Sequence, residues 1–406
     1  MKKIVHRIFL SSMLALLMSL LSACASHSSP SMRINIPDVS SQPAGYRSVT
    51  GFDVVADGEQ LHAVLTVTQA EKRKVEIVYL HSDDLGRSWS EPQVIDQGSD
   101  RGMESVQGND IQIAASGDKR VIIWQATGEI PGMGSFKTVF SIDAGKTWQH
   151  GSNPTGTDND QSHHDMLIDR QGHLHLVWLD DRDENGYQGL RYARSSDFGQ
   201  RWELGQTIDA SSCSCCWNRM VLSPEGNINV LYRDMEYRDM ALAQSTDTGE
   251  HWQHLSTVGE FKWKFDGCPH NGGGISQADS GKLHAVVWTG AEPRAGLYHL
   301  HSETAGKTWS DPVAVAPDTG AFHADIAALD RDRVLMVWDA NGSEGTSVWL
   351  AGSEDDGAEW SAPKQISTPG RQASHPRVIA IDKAWLVLWT EKQPNGGKRW
   401  LTAVVE

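Results

Sequence analysis

Three of the chain's five cysteines, Cys213, Cys215 and Cys216, fall within four positions of the run Ser211-Ser212-Cys213-Ser214-Cys215-Cys216-Trp217-Asn218-Arg219. A fourth opens the run Cys268-Pro269-His270. Thiolate and imidazole are the ligand pair of Zn(II) and Cu(I), with thiolate favouring the softer ion. The spacing matches no standard zinc-finger pattern, so this chemistry depends on what the fold brings nearby. The competing chemistry is a disulfide staple: in an oxidising compartment bridges persist, and four cysteines allow three pairings. A bridge between the adjacent Cys215 and Cys216 would be strained, so pairing with Cys213 or Cys268 is the expected form. A redox role fits least, because it would need an exposed thiolate of low pKa and no thioredoxin-like Cys-x-x-Cys context is present.

The elements that must position these residues emerge from a repeat. Ser-x-Asp-x-Gly-x-x-Trp recurs as Ser82-Asp84-Gly86-Trp89, Ser141-Asp143-Gly145-Trp148, Ser195-Asp197-Gly199-Trp202, Ser245-Asp247-Gly249-Trp252 and Ser353-Asp355-Gly357-Trp360. Ser302-Thr304-Gly306-Trp309 is a degenerate copy. The spacing of 50 to 59 residues is that of propeller blades. Seven apolar, β-branched and aromatic runs, such as 61–67, 174–180 and 385–391, read as buried second strands of seven units.

The boxes are identified as Asp boxes, or BNR repeats, and the chain resembles the sialidase-like superfamily of β-propellers over nearly all of its length. The expected fold is all-β, a seven-bladed β-propeller whose last blade is closed by an N-terminal strand at 32–37. The alternative is the six-bladed sialidase fold plus an extra sheet. The boxes themselves are expected to be outer-rim scaffold: an aspartate accepting backbone N–H bonds, a glycine in a conformation closed to other residues, and a tryptophan between blades.

In such a ring the segments leading into the inner strands share one face. They hold Asp53, then Asn109 and Asp110, then His163, His164 and Asp165, then the cysteine run with Arg219. Cys268 and His270 follow, then His323 and Asp325, then His375 and Arg377. The expected metal set, for Cu or Zn, is therefore Cys213, Cys215, Cys216, Cys268, His270, His163, His164, His323 and His375. Asp165, Asp325 and Asp110 are expected to orient ligands from behind, and Arg219 and Arg377 to help bind a small ligand. His62, His175 and His284, in a recurring Leu-His second-strand pattern, are read as packing residues, as are His81, His299 and His301.

The superfamily resemblance also implies exo-sialidase chemistry: three arginines on a substrate carboxylate, a tyrosine nucleophile helped by a glutamate, and an aspartate acid/base. Arg182, Arg219, Arg233, Arg294 and Arg377 are the arginines near the mouth, and Asp180, Asp181, Asp183, Asp234, Glu236 and Tyr237 are the acid and tyrosine candidates. The Arg-Ile-Pro element survives only as the broken run Arg33-Ile34-Asn35-Ile36-Pro37. No catalytic role is assigned to any residue on this ground. A metal- or ligand-binding propeller is the preferred reading, with a sialidase-type glycoside hydrolase and a protein-interaction scaffold as alternatives.

Residues 1–23 combine Lys2, Lys3 and Arg7 with a short apolar run, which reads as an export signal. Its end, Leu21-Ser22-Ala23-Cys24, resembles the lipobox of bacterial lipoproteins, and implies lipidation of Cys24. Ala25, in place of an aspartate, favours the outer membrane. Residues 24–31 read as a tether and 32–406 as one propeller domain. A net charge of −16 argues against nucleic acid and against an anionic membrane surface, leaving the lipid anchor as the membrane contact.

Overall fold

The computed structural model describes residues 39–406, apart from 42–44, 70–74, 97–102, 106–107, 129–133, 157–160, 181–188, 317–319 and 395. Seven small antiparallel sheets make a seven-bladed β-propeller, and the six-bladed alternative is excluded. Blades 1 to 6 occupy 46–96, 103–150, 161–209, 219–258, 274–314 and 321–365. Blade 7 takes 373–405 and receives its outer strand from the N-terminal side. That strand is Val39–Ser41, paired antiparallel with Lys398–Val405. Closure therefore has the expected form, but the closing residues follow the stretch 32–37, which lies outside the described residues, as do the signal and tether segments. Among the described residues no helix is long and apolar enough to cross a membrane.

The sequence pattern explains the core. Each second strand is buried on both faces, as in Leu174–Asp180, so its side chains pack against the blade before and the blade after. One such cluster joins Val54, Leu61 and Leu65 of blade 1 to Leu386, Leu388, Trp400 and Val404 of blade 7. The apolar core is thus a ring of layers between blades, and the axis is left to polar side chains.

The Asp boxes hold their turns as expected. In the first, Ser82 Oγ donates to Asp84 Oδ1 and accepts from Gly86 N, at 2.8 Å each, while Asp84 Oδ1 accepts from Ser88 N at 2.8 Å. In the degenerate box the hydroxyl of Thr304 replaces the carboxylate, accepting from Thr308 N at 2.9 Å. The box tryptophans reach the preceding blade: Trp89 lies 5.1 Å from Trp400 and Trp252 lies 4.9 Å from Tyr192. The glycines do the same. Gly249 has φ +85°, and a Cβ there would sit 1.8 Å from the Tyr192 hydroxyl. Gly249→Ala combines a left-handed backbone with that overlap, so it is expected to cost about 2–3 kcal/mol. Urea denaturation checks this; an unchanged midpoint would show that the blades do not meet there.

The Leu-His histidines are buried and hydrogen-bonded on the rim. His62 Nδ1 and Tyr79 Oη are 2.7 Å apart, as are His175 Nδ1 and Tyr192 Oη. In blade 5 a second histidine takes the tyrosine's place, with His284 Nδ1 3.2 Å from His299 Nε2.

Candidate functional site

Three of the inner strands begin with a bulge that carries a histidine. Register shifts lie between Ser162 and Asp165, Phe322 and Asp325, and Ser374 and Arg377. Inside them His163, His323 and His375 have φ of 53°, 43° and 52°, and His270 in blade 5 has φ 50°. A left-handed backbone is costly for histidine and reverses the ordinary alternation of side chains. The recurring conformation puts one imidazole per blade at the mouth and sends the residue two positions later to the axis.

At the axis Asp165, Asp325 and Arg377 join Asp53, Asp110 and Arg219 in an electrostatic ring. Arg377 Nε is 3.1 Å from Asp325 Oδ2 and its Nη2 is 3.9 Å from Asp53 Oδ1; Arg219 Nη1 is 3.7 Å from Asp165 Oδ1. The carboxylates also latch blade 1 to blade 2, blade 3 to blade 4 and blade 6 to blade 7. Asp53 accepts from Ile113 N at 3.0 Å, Asp165 from Met220 N at 2.6 Å and Asp325 from Val378 N at 3.2 Å. Burial pushes Asp53 up to about 7 and Asp110 up to about 6, against the pull of Arg377 and of backbone N–H donors. For Arg377 burial acts downward, but Asp325, Asp53, Asp165 and Asp110 outweigh it and hold the guanidinium charged. Asp165 and Asp325 therefore brace the axis, and the carboxylate on His323 is a different one.

That carboxylate is Asp339, on the second strand of blade 6. Its oxygens lie 3.0 and 2.9 Å from His323 Nδ1, and Oδ2 accepts from His375 N at 2.9 Å. The rings of His323 and His375 stack with centroids 3.9 Å apart, and Trp217 packs on both at 5.7 and 6.0 Å. Beneath Trp217 the axis is nearly full, with a void of ≈ 20 Å³, room for about one water. Above, an open cavity of ≈ 490 Å³ is lined by Ser48, Thr50, His270, His323, His375, Gly396 and Lys398.

Beside this cavity lie the cysteines. Cys213, Cys215 and Cys216 are buried, Cys268 is exposed, and all four are free, so the expected disulfide staple is absent. Cys213 Sγ is 3.8 Å from Cys215 Sγ and 3.7 Å from Cys216 Sγ. The ligand atoms of Cys215, Cys268 and His270 also lie within 4.8 Å of one another, so Cys215 belongs to both groups. Thiol donation from Cys215 and Cys216 lowers the Cys213 pKa, while Cys215 is raised by its role as donor to Cys213. Burial, first of all, pushes Cys216 up to about 12. The pocket takes one negative charge readily and resists a second in the absence of a compensating cation.

The other expected ligands separate. His163 stands near Cys213 and His270, is lowered to about 4 chiefly by burial, and bonds Ser162 Oγ at 2.8 Å. His164 points between blades 2 and 3, with Nε2 3.2 Å from Ile123 O and its ring 4.6 Å from Phe136; it is a packing residue. Of the arginines, Arg233 is buried and bonded to the carbonyls of Asn271, Arg238 and Trp288, and Arg294 lies on the Phe261 ring. Only Arg219 and Arg377 face the axis among the described residues, and both are already engaged by carboxylates. Asp180 bonds Trp178 Nε1, Tyr237 lies under Lys264, and Asp181, Arg182 and Asp183 lie outside the described residues. A larger cavity of ≈ 700 Å³ opens among the turns of blades 4 to 6, where Asp356 pairs with Lys282 and also bonds the buried His284.

With fold and site in place, the chain is a seven-bladed β-propeller that carries BNR-type repeats. Residues 59–259 match the family described as BNR repeat-like domain. No curated protein matches the chain in sequence. Among solved structures, a PL25 polysaccharide lyase, an ulvan lyase bound to GlcA(1-4)Rha3S, aligns with TM-score 0.62 at 13% identity, covering 90% of this chain and 98% of its own. A second polysaccharide lyase, Uly1, aligns with TM-score 0.59 at 11% identity over 87% and 90% of the two chains. A protein of Dyadobacter fermentans aligns with TM-score 0.54 at 13% identity over 92% and 99%. At these identities the likeness is one of fold.

Proposed function

We propose that this propeller is a lipid-anchored metal-binding protein of the bacterial cell envelope, holding Cu(I) or Zn(II) in the thiolate pocket of blade 4. The observation that carries the reading is the sulfur spacing. Ligands ~2.3 Å from one tetrahedral ion stand ~3.8 Å apart, and a trigonal ion gives a slightly longer edge. Sγ separations of 3.7 and 3.8 Å fit that edge and are far from a disulfide bond. A soft ion with three buried thiolates favours Cu(I), with Cys268 and His270 as partners toward solvent. Lipidation at Cys24 would keep such a site on the membrane surface, where thiols are otherwise at risk of oxidation.

Metal analysis of the full chain purified without chelators tests this. About one equivalent of copper or zinc is expected, lost in Cys213→Ser/Cys216→Ser, and thiol titration of the denatured, non-reduced, metal-free protein should find Cys213, Cys215, Cys216 and Cys268 all free. Equal metal in the variant, or two or fewer thiols, would sink the proposal.

A second reading, a carbohydrate-active enzyme, draws on the polysaccharide lyases of like fold and on the His323–Asp339 pair at the cavity. The sialidase version needs three free arginines at one carboxylate site, and the two at the axis are paired with Asp165, Asp325 and Asp53.

A further inference from the structure

We infer that His323, His375 and Asp339 form a second, open metal site, separate from the thiolate pocket, for a divalent ion such as Cu(II) or Zn(II) that keeps free positions toward the ≈ 490 Å³ cavity and takes an anionic ligand there. The inference does not rest on the thiolate reading.

Two nitrogens and a carboxylate within 4.8 Å are the donor set of imidazole-rich sites with open positions. The His323 Nδ1 to Asp339 Oδ2 distance of 2.9 Å equals the separation of two ligands ~2.05 Å from one ion at a right angle, the cis arrangement of a tetragonal ion. His375 Nδ1 points toward the same oxygen at 3.9 Å, too far for a hydrogen bond, and this buried nitrogen has no hydrogen-bond partner among the described residues. A purely structural His–Asp pair would explain His323 and leave His375 unexplained; a shared ion accounts for both. Stacked imidazoles with centroids 3.9 Å apart would repel if both were protonated, which favours the neutral, ligating form.

The protein supplies only three donors, on one side. The far side opens on the cavity, which Lys398, Ser48 and Thr50 also line. A cation and an ammonium on one small cavity select an anion, and the hydroxyls add hydrogen bonds, so a small carboxylate such as that of a uronic acid is the class of ligand the site would take.

The test uses the full chain carrying Cys213→Ser/Cys215→Ser/Cys216→Ser/Cys268→Ser, so that neither thiol group can report. Titrated with Cu(II), it should bind one equivalent with an EPR signal showing hyperfine coupling to imidazole nitrogen. Acetate or glucuronate added afterwards should shift the visible band. His323→Ala or His375→Ala added to this background should weaken Cu(II) at least 100-fold, and Asp339→Asn, which keeps the acceptor for His375 N, at least 10-fold. Circular dichroism confirms folding; should an alanine variant misfold, His323→Gln takes its place. No nitrogen coupling in the Cys-lacking chain, or undiminished affinity in the histidine variants, overturns the inference. Coupling present with no response to either anion overturns the open-position part of it. Loss of soft metal in the cysteine variant is a separate readout, so the two proposals fail separately.

Discussion

Arg377→Met is expected to cost about 3–5 kcal/mol at pH 8, and clearly less at pH 5.5. The guanidinium is the main cation of an axial ring that also holds Asp53, Asp110, Asp165 and Asp325, and it touches Asp325 at 3.1 Å and Asp53 at 3.9 Å. Those two carboxylates expose only 10% and 6% of their side chains, so water cannot replace the lost partner. The sign of the pH effect follows from the carboxylates. Burial already holds Asp53 at about 7 and Asp110 at about 6, above the 3.8 of an unfolded chain. A raised carboxyl pKa means the folded state binds the extra proton, so stability falls as pH rises through the folded value. Removing Arg377 raises these values further. The penalty is therefore full above about pH 8 and shrinks toward pH 4 as the ring protonates.

A second variant separates charge from packing. Arg377→Met/Asp325→Asn removes the orphaned charge while the amide oxygen still accepts from Val378 N. It should recover more than about 1 kcal/mol relative to the sum of the single changes. Urea midpoints at both pH values decide the matter: equal cost at pH 5.5 and 8, or strict additivity, would mean the ring is held by shape alone.

Blade number and rim chemistry were legible because Asp boxes are local: serine, aspartate and glycine bond within one turn, so spacing alone reveals them. The closing strand was less so, since Val39–Ser41 is only three residues long and its partner lies at the other end of the chain. The histidine ring was readable as the recurring His163-His164-Asp165, His323-Ala324-Asp325 and His375-Pro376-Arg377, but the left-handed bulge beneath it was not. That bulge reassigns Asp165 and Asp325 from the histidines to the axis. Asp339 was missed because its strand reads as core. The register aligns Val177 with Asp165 and Val337 with Asp325, so Trp178 matches Trp338 and Leu179 matches Asp339. Asp180, one residue later, caps Trp178 Nε1. One step along a strand changes the face, and Asp339 takes the face toward the mouth where blade 3 has leucine. The acid directly after tryptophan was the available signal.

Acidification from pH 7 to pH 5 is expected to destabilise the protein by several kcal/mol, and His299→Tyr to remove part of that loss. The rim histidines are folded neutral and almost without solvent contact: His62, His284 and His299 are at most 1% exposed, and His175 is fully buried. Burial, first of all, lowers His62 and His284 to about 4 and His299 to about 3, and also lowers His175 despite its bond to Asp169. A histidine whose folded pKa lies below 6.5 stabilises the protein fully above that value, and the contribution is lost as pH falls from 6.5 toward 4. At ~1.4 kcal/mol per pKa unit, the loss by pH 5 is on the order of 1–2 kcal/mol for each of His62, His284 and His299. Asp53 and Asp110 act in the opposite direction over the same window, but they are two groups against four, so acid loss wins. His299 is the informative position because blades 1 and 3 place Tyr79 and Tyr192 where blade 5 has His299. A tyrosine there can keep the bond to His284 Nδ1, and it does not titrate between pH 4 and 7. The variant should match wild type near pH 7.5 and melt several degrees higher at pH 5, by calorimetry at both values. Parallel melting curves for the two proteins at every pH would show that this buried imidazole carries no part of the acid sensitivity.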